Sequence, residues 1–114
     1  MEEMVIKEKI MEELKNMGYN FRHIGTTYII EAIQIIYIAN NPQVFQSIEK
    51  KVYPIIAKKY CKKESTIKSN IIKATDFMYE QTLLQRKKID KYYNLYPKMT
   101  PKSVINTVLL KLDA

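Results

Sequence analysis

The stretch that decides the fold is residues 50–76, KKVYPIIAKKYCKKESTIKSNIIKATD. Its first part has the apolar spacing of a helix, residues 61–64 interrupt that spacing, and Ser65 opens a second helix. In the second helix apolar residues recur every three or four positions and predict one buried stripe. The stripe consists of Ile67, Ile71, Ala74 and Met78. Two helices with a short break between them predict a helix-turn-helix over about residues 51–79.

The positive charge of the chain is concentrated in the same stretch. Residues 50–73 contain eight lysines and a single acid, Glu64, and therefore carry a net charge of +7. The other eleven Lys/Arg and eleven Asp/Glu cancel, so this segment accounts for the whole formal charge of +7 of the 114-residue chain. Such a concentration indicates a polyanionic partner, and with a helix-turn-helix the partner we expect is duplex DNA.

On the face of the second helix opposite the stripe, the residues are small, polar or basic apart from Ile72. Such a face suits a helix lying in a major groove. We expect that face to comprise Thr66, Lys68, Ser69, Ile72, Lys73 and Asp76. Lysines of the first helix and of the break should contact phosphates. These lysines are Lys58, Lys59, Lys62 and Lys63, and Ser65 at the helix start completes the DNA-binding set. In the alternative, Lys68 and Lys73 only keep an exposed helix solvated, but the lysines clustered just before them weaken that alternative.

The N-terminal part of the chain predicts two helices. Residues 2–17 have the spacing of an amphipathic helix, and Gly18 follows where a helix C-terminal glycine belongs. Residues 19–25 read as a loop, after which Thr26 or Thr27 can cap a helix that continues to about Asn40. This second helix is apolar almost all round, which is typical of a central core helix.

The segment before the basic stretch predicts short helices. Asn41 can cap a helix with Pro42 at its first position. Because Pro54 lacks an N–H, we expect two helical segments, near residues 42–50 and 51–60. Ala57 is a small residue at which a crossing helix could approach closely.

The C-terminal part predicts two more helices. Residues 80–96 should be helical at least to Tyr92, and their basic run is equally compatible with phosphate contacts and with ordinary solvated surface. That run is Arg86, Lys87, Lys88 and Lys91. Thr100-Pro101 is a strong start for a last amphipathic helix. With no strand-like alternation of useful length, residues 1–114 predict a single compact all-α domain of about six helices.

The residues needed for an enzyme are missing. The sequence offers no acid–base pair, no nucleophile with a base and no metal constellation, and its two glycines cannot form a phosphate loop. The lone His23 and the lone Cys61 are better explained as structural or exposed residues than as ligands or nucleophiles. We therefore expect no catalytic residue, no metal, no cofactor and no small-molecule substrate.

The sequence also argues against a membrane location. The longest apolar run, residues 29–39, contains Glu31 and Gln34 and falls short of the about 20 residues needed to cross a bilayer. The N-terminus has Glu2 and Glu3 and no secretory pattern. A single cysteine fits a reducing compartment. These features predict a cytoplasmic protein.

Three pieces of the chain together resemble one family. Residues 53–60, Tyr-Pro-Ile-Ile-Ala-Lys-Lys-Tyr, closely resemble the Tyr-Pro-x-Ile-Ala-Lys-Lys-aromatic signature in the effector domain of the stage-zero sporulation protein A regulators of endospore-forming bacteria. Residues 23–33 resemble that family's His-Ile-Lys-Gly-Tyr-x-Tyr-Leu-x-x-Ala-Ile segment with one residue deleted, and residues 100–112 resemble its last helix.

The resemblance implies a six-helix effector domain that binds duplex DNA through a helix-turn-helix to control transcription. It also implies copies in tandem on DNA, and we expect either that arrangement or a homodimer. Two features depart from the family. The 114 residues leave no room for the receiver domain that carries the phosphorylated aspartate, and Thr66, Lys68, Ser69, Ile72 and Lys73 stand where family members place base-reading arginines and a glutamate. A competing hypothesis is therefore a protein-interaction module on the same fold, anchored by Ile72, which we expect to be largely exposed.

Overall fold

The computed structural model describes residues 3–81 and 100–113. Within these ranges the regular structure is helical throughout, with no strand, so the all-α prediction is confirmed. The helices are α1 Glu3–Met17, α2 Ile24–Ala39, α3 Pro42–Gln46, α4 Ile48–Lys51, α5 Tyr53–Tyr60, α6 Glu64–Gln81 and α7 Pro101–Leu112. The predicted helix over residues 80–96, with its basic run, lies outside the described residues except for its first two positions. None of the helices in the described ranges has both the length and the apolar character to cross a membrane.

Helix α2 is the central element, as its sequence predicts. It packs against α1, α5, α6 and α7, and its most extensive contact is with α6. Because neighbours surround it, apolar residues on most of its circumference are buried. The buried apolar residues of α2 are Tyr28, Ile29, Ile30, Ala32, Ile33 and Ile36.

The close approach of α2 and α6 depends on Gly25. A Cβ atom at this position would lie 1.9 Å from the backbone oxygen of Asn70 and 2.9 Å from the Cβ of Ala74. Only a residue without a side chain fits there, and the small Ala74 completes the crossing point. The sequence did not indicate this close approach at Gly25; Ala57, where the sequence predicts that a crossing helix could approach closely, lies on α5 and is buried.

The predicted start of α2 at Thr26 or Thr27 is wrong. The helix begins at Ile24, after His23 in extended conformation. Thr26 is fully buried, and its hydroxyl donates a hydrogen bond to the carbonyl of Asn20 at 2.8 Å instead of capping the helix. The helix starts earlier because Gly25, which reads as a loop residue, belongs to the first turn that packs against α6.

Other predicted helix ends are confirmed by their hydrogen bonds. Gly18 ends α1 with a φ of 106°, and the N–H of Tyr19 donates to the carbonyl of Leu14 at 3.0 Å. Asn41 caps α3 by accepting a bond from the N–H of Gln43 at 2.9 Å. Thr100 caps α7 by accepting one from the N–H of Ser103 at 3.2 Å.

The segment between α2 and α6 is divided more finely than predicted. Instead of two segments near residues 42–50 and 51–60 there are three, with interruptions at Ser47 and Val52. Since Pro54 has no N–H to bond back to the preceding turn, α5 starts afresh with this proline near its N-terminus.

A buried hydrogen bond fixes the loop between α1 and α2 to α6. The hydroxyls of Tyr19 and Thr75 lie 2.8 Å apart, and both residues are buried. Burial raises the pKa of Tyr19 far above its ordinary value, so the phenol stays neutral and can keep this bond. The bond holds α6 from its buried side and leaves the other side open.

Candidate nucleic-acid interface

Helix α6 has two distinct faces. Its predicted apolar stripe is confirmed, because every member of the stripe is at most 2 % exposed. The members are Ile67, Ile71, Ala74 and Met78. They pack into the main apolar core together with residues of α2 and α5.

The opposite face of α6 is open over most of its length. Five of its predicted DNA-binding residues are exposed, namely Ser65, Lys68, Ser69, Ile72 and Lys73. Thr66 is half-buried, and so is Asp76, which the sequence also placed on this face. Ile72 is 38 % exposed, which is less than the largely exposed side chain that the sequence predicts, since part of it lines a concavity described below.

The turn before α6 has a defined geometry. Cys61 adopts a left-handed conformation with φ 54° and ψ 46°. The N–H of Lys62 then donates to the carbonyl of Ala57 at 2.9 Å, and the N–H of Cys61 donates to the carbonyl of Lys58 at 3.4 Å. These two bonds end α5 in a Schellman arrangement, which usually uses glycine at the left-handed position.

The turn leaves its two lysines at the start of α6. The carbonyl of Lys63 accepts bonds from the N–H groups of Thr66 and Ile67 at 3.0 and 3.2 Å, so α6 follows directly. The side chains of Lys62 and Lys63 are exposed, as is that of Lys58 in the last turn of α5. All three ammonium groups are thus accessible to an anionic partner.

Lys59 differs from these three lysines because it has an internal partner. Its ammonium group forms an ion pair with the carboxylate of Glu31 on α2, and this hydrogen bond raises the pKa of Lys59. The Lys59 side chain is still 60 % exposed. A phosphate that binds Lys59 would compete with the Glu31 carboxylate. The sequence alone does not indicate this competition.

Lys68 also has a partner. Its Nζ lies 3.0 Å from Oε1 of Glu49 on α4, and the side chains are 49 % and 61 % exposed. Pairs with this degree of exposure contribute at most about 1 kcal/mol, so the pair orients Lys68 without holding it strongly.

A concavity of about 570 Å³ lies beside the exposed face of α6. Lys68 and Ile72 form its α6 wall, Lys50 comes from α4, and Lys102 comes from the first turn of α7. Tyr53 lies on α5 at the same concavity, and burial followed by the nearby charge of Glu49 raises its pKa to about 12. With Gln46 of α3 also in its wall, the concavity joins five helices around a group of lysines.

Lys102 is a residue that sequence reasoning missed. Its Nζ donates a hydrogen bond to the carbonyl of Gln46 at 3.1 Å and lies 5.2 Å from the centroid of the Phe45 ring. Both partners are on α3, far from Lys102 in sequence. The sequence does predict a helix start at Thr100-Pro101, which puts Lys102 in the first turn of a helix. It does not show which other helix Lys102 contacts.

Other candidate groups have no site geometry. Across residues 3–81 and 100–113, no three His, Cys, Asp or Glu side chains come together as metal ligands. The His23 ring packs on Phe77 with centroids 4.3 Å apart, and Cys61 is exposed.

A protein-family model matches most of the chain. The family model described as "Sporulation initiation factor Spo0A C terminal" matches residues 10–112. No curated protein gives a significant match to the chain. The family match covers α2 to α7 entirely and the second half of α1.

Proposed function

The chain belongs to the family of sporulation initiation factor Spo0A C-terminal domains, and we propose that it binds duplex DNA through α5, the turn and α6 as a helix-turn-helix. The family is a DNA-binding regulatory domain and not a known family of enzymes. In the proposed function the protein regulates transcription during sporulation by recognising a particular duplex sequence.

The observation that carries this proposal is the division of α6 into a buried and an open face. Because the stripe from Ile67 to Met78 occupies the core, the exposed residues of the other face, from Ser65 to Lys73, are accessible from solvent. Those residues are short, polar or basic apart from one isoleucine, as suits contact with base edges. The lysine-rich end of α5 and the turn directly precede this face, which supports a polyanionic partner.

The proposal gives the residues two roles. Lys58, Lys62 and Lys63 contact phosphates, and Lys59 does so in competition with Glu31. The groove is contacted by the open face of α6, with Ser65 at its start. The residues of that face are Thr66, Lys68, Ser69, Ile72 and Lys73.

The proposed cellular setting follows from the DNA partner. We place the protein in the cytoplasm, where bacterial DNA is accessible, as a homodimer or as copies in tandem on DNA. The proposed function requires no cofactor and no small-molecule substrate.

The salt dependence of DNA binding tests the proposed function. Each phosphate contact makes log K fall with log salt by about 0.9, so changing Lys62 and Lys63 together to Ala should make the slope shallower by about 2. Binding to all duplexes should weaken alike, since phosphates carry no base identity. Fluorescence anisotropy of a labelled duplex over a range of ionic strengths measures both quantities.

A double change of Lys9 and Lys15 to Ala is the matched control. It removes the same charge from exposed positions on α1, outside the proposed interface. Its slope should equal that of the unmodified protein. Binding that is indifferent to salt in the unmodified protein would refute DNA binding, and equal slopes for both double variants would remove Lys62 and Lys63 from the interface.

The second candidate function is a protein-interaction module on the same fold. It is favoured by one observation, namely that Ile72 is an exposed apolar side chain at the wall of a concavity. Under this function Ile72 anchors a partner protein, and selection from random duplexes would enrich no sequence.

A further inference from the structure

The concavity beside α6 gathers lysines from three separate helices. Lys50, Lys68 and Lys102 all line it, whereas Glu49 is the single acid among the described residues of its wall. Glu49 is already paired with Lys68. The ammonium groups of Lys50 and Lys102 therefore leave the concavity with an excess of positive charge, which suits an anionic group.

The Lys102 side chain is held in place before any partner arrives. The bond to the Gln46 carbonyl and the position over the Phe45 ring restrict its ammonium group beside α3, and Gln46 also lines the concavity. An ordered lysine loses less conformational entropy on binding an anion than a free one does. The N-terminus of α7, where Lys102 stands, adds a partial positive charge at the rim of the concavity.

The concavity is continuous with the proposed DNA-binding face. Lys68 and Ile72 belong both to that face and to the wall of the concavity, so a duplex that meets them also passes the rim. Phosphate backbones flank the groove in which a recognition helix lies. We propose that the DNA interface extends from α6 onto α4 and α7, with a backbone phosphate received between Lys50 and Lys102. This inference rests on the proposed function and adds two positioning contacts to it.

Single lysine-to-glutamine variants test the extension. Because the two lysines share one phosphate, the double variant Lys50→Gln/Lys102→Gln should reduce the slope of log K against log salt by about 0.9, and each single variant should reduce it by part of that amount. The loss should be the same for every duplex sequence. Glutamine at position 102 keeps an N–H donor and loses the charge, and Lys50→Gln probes the same concavity without touching the bond to Gln46.

Lys15→Gln is the control, since it removes one exposed charge from α1, which has no part in the concavity. Thermal denaturation establishes that each variant is folded. The extension is overturned if folded Lys50→Gln and Lys102→Gln have the same salt slope as Lys15→Gln, while the Lys62 and Lys63 double variant has a shallower slope than the unmodified protein. A salt-independent unmodified protein would overturn both the extension and the proposed function.

Discussion

Two adjacent isoleucines of α6 occupy opposite environments. Ile71 is 0 % exposed within the stripe that meets the core, whereas Ile72 is 38 % exposed beside the lysines of the concavity. A turn of 100° between successive residues is enough to separate a residue that stabilises the fold from one available to a partner. The two faces of α6 should therefore respond independently to mutation.

The buried face should give the largest effect. Ile71→Ala removes side-chain atoms from a fully buried site and should lower the free energy of unfolding by about 2–5 kcal/mol. Urea denaturation followed by circular dichroism measures this change. Unchanged stability would mean that the faces of α6 are assigned wrongly, and the list of DNA-facing residues would then be wrong as well.

The crossing of α2 and α6 should give the next largest effect. In Gly25→Ala the added methyl would overlap the backbone oxygen of Asn70, so the helices must separate, at a cost of about 3 kcal/mol. Gly18→Ala is the control, because it adds the same methyl at a position whose φ is positive, where the cost is backbone strain and not overlap with another helix. Equal losses of stability in the two variants would contradict the tight crossing.

The exposed face should affect recognition more than folding. Ile72→Ala should change stability by less than about 1 kcal/mol, while discrimination at one T·A pair falls by about 1–3 kcal/mol. The reason is that Ile72 can pack on a thymine methyl group. Binding to duplexes with uracil at that position should reproduce most of the loss in the unmodified protein.

The same variant also separates the two candidate functions. If Ile72→Ala leaves every DNA preference intact but abolishes binding to a protein partner, the interaction module is the correct function. The contrast between Ile71 and Ile72 would remain, but the open face would not be a groove contact.

A substitution in the turn before α6 should have the smallest effect, and it should raise the stability of the fold where the others lower it. Cys61 is left-handed, a conformation that costs a residue with a side chain about 1–2 kcal/mol and glycine almost nothing. Cys61→Gly should therefore stabilise the fold by about 1 kcal/mol, with DNA affinity unchanged. The denaturation midpoint measures it, and Cys61→Ala, which keeps the strain, should leave the midpoint nearly in place.

The parts of the fold that were predictable depend on local chemistry. Gly18, Asn41 and Thr100 terminate or cap helices through bonds to residues nearby in sequence, and their patterns are visible in the chain. The start of α2 was not predictable in this way. Gly25 is required by a backbone oxygen forty-five positions later, and the Thr26 hydroxyl bonds outside its own helix.

In the candidate site, too, the sequence predicts features within one helix but not contacts between helices. Periodicity correctly separated the buried stripe of α6 from its open face, because both belong to one helix. Charge counting could not show that Lys59 pairs with Glu31 or Lys68 with Glu49, since each pair joins two helices. It also passed over Lys102, which lies outside the basic segment and reaches the concavity only through packing.

The ion pairs of Lys59 and Lys68 change what a salt titration counts. The slope of log K against log salt reports the free ions that DNA gives up to the solution when a lysine replaces them. Glu31 and Glu49 act instead as counterions tethered to the protein, so each lysine must exchange a carboxylate for a phosphate. Part of the electrostatic gain at Lys59 and Lys68 is spent on that exchange, and dissolved salt weakens the carboxylate pair as well as the phosphate pair. A contact count taken from the slope alone therefore falls short of the number of lysines that touch the duplex.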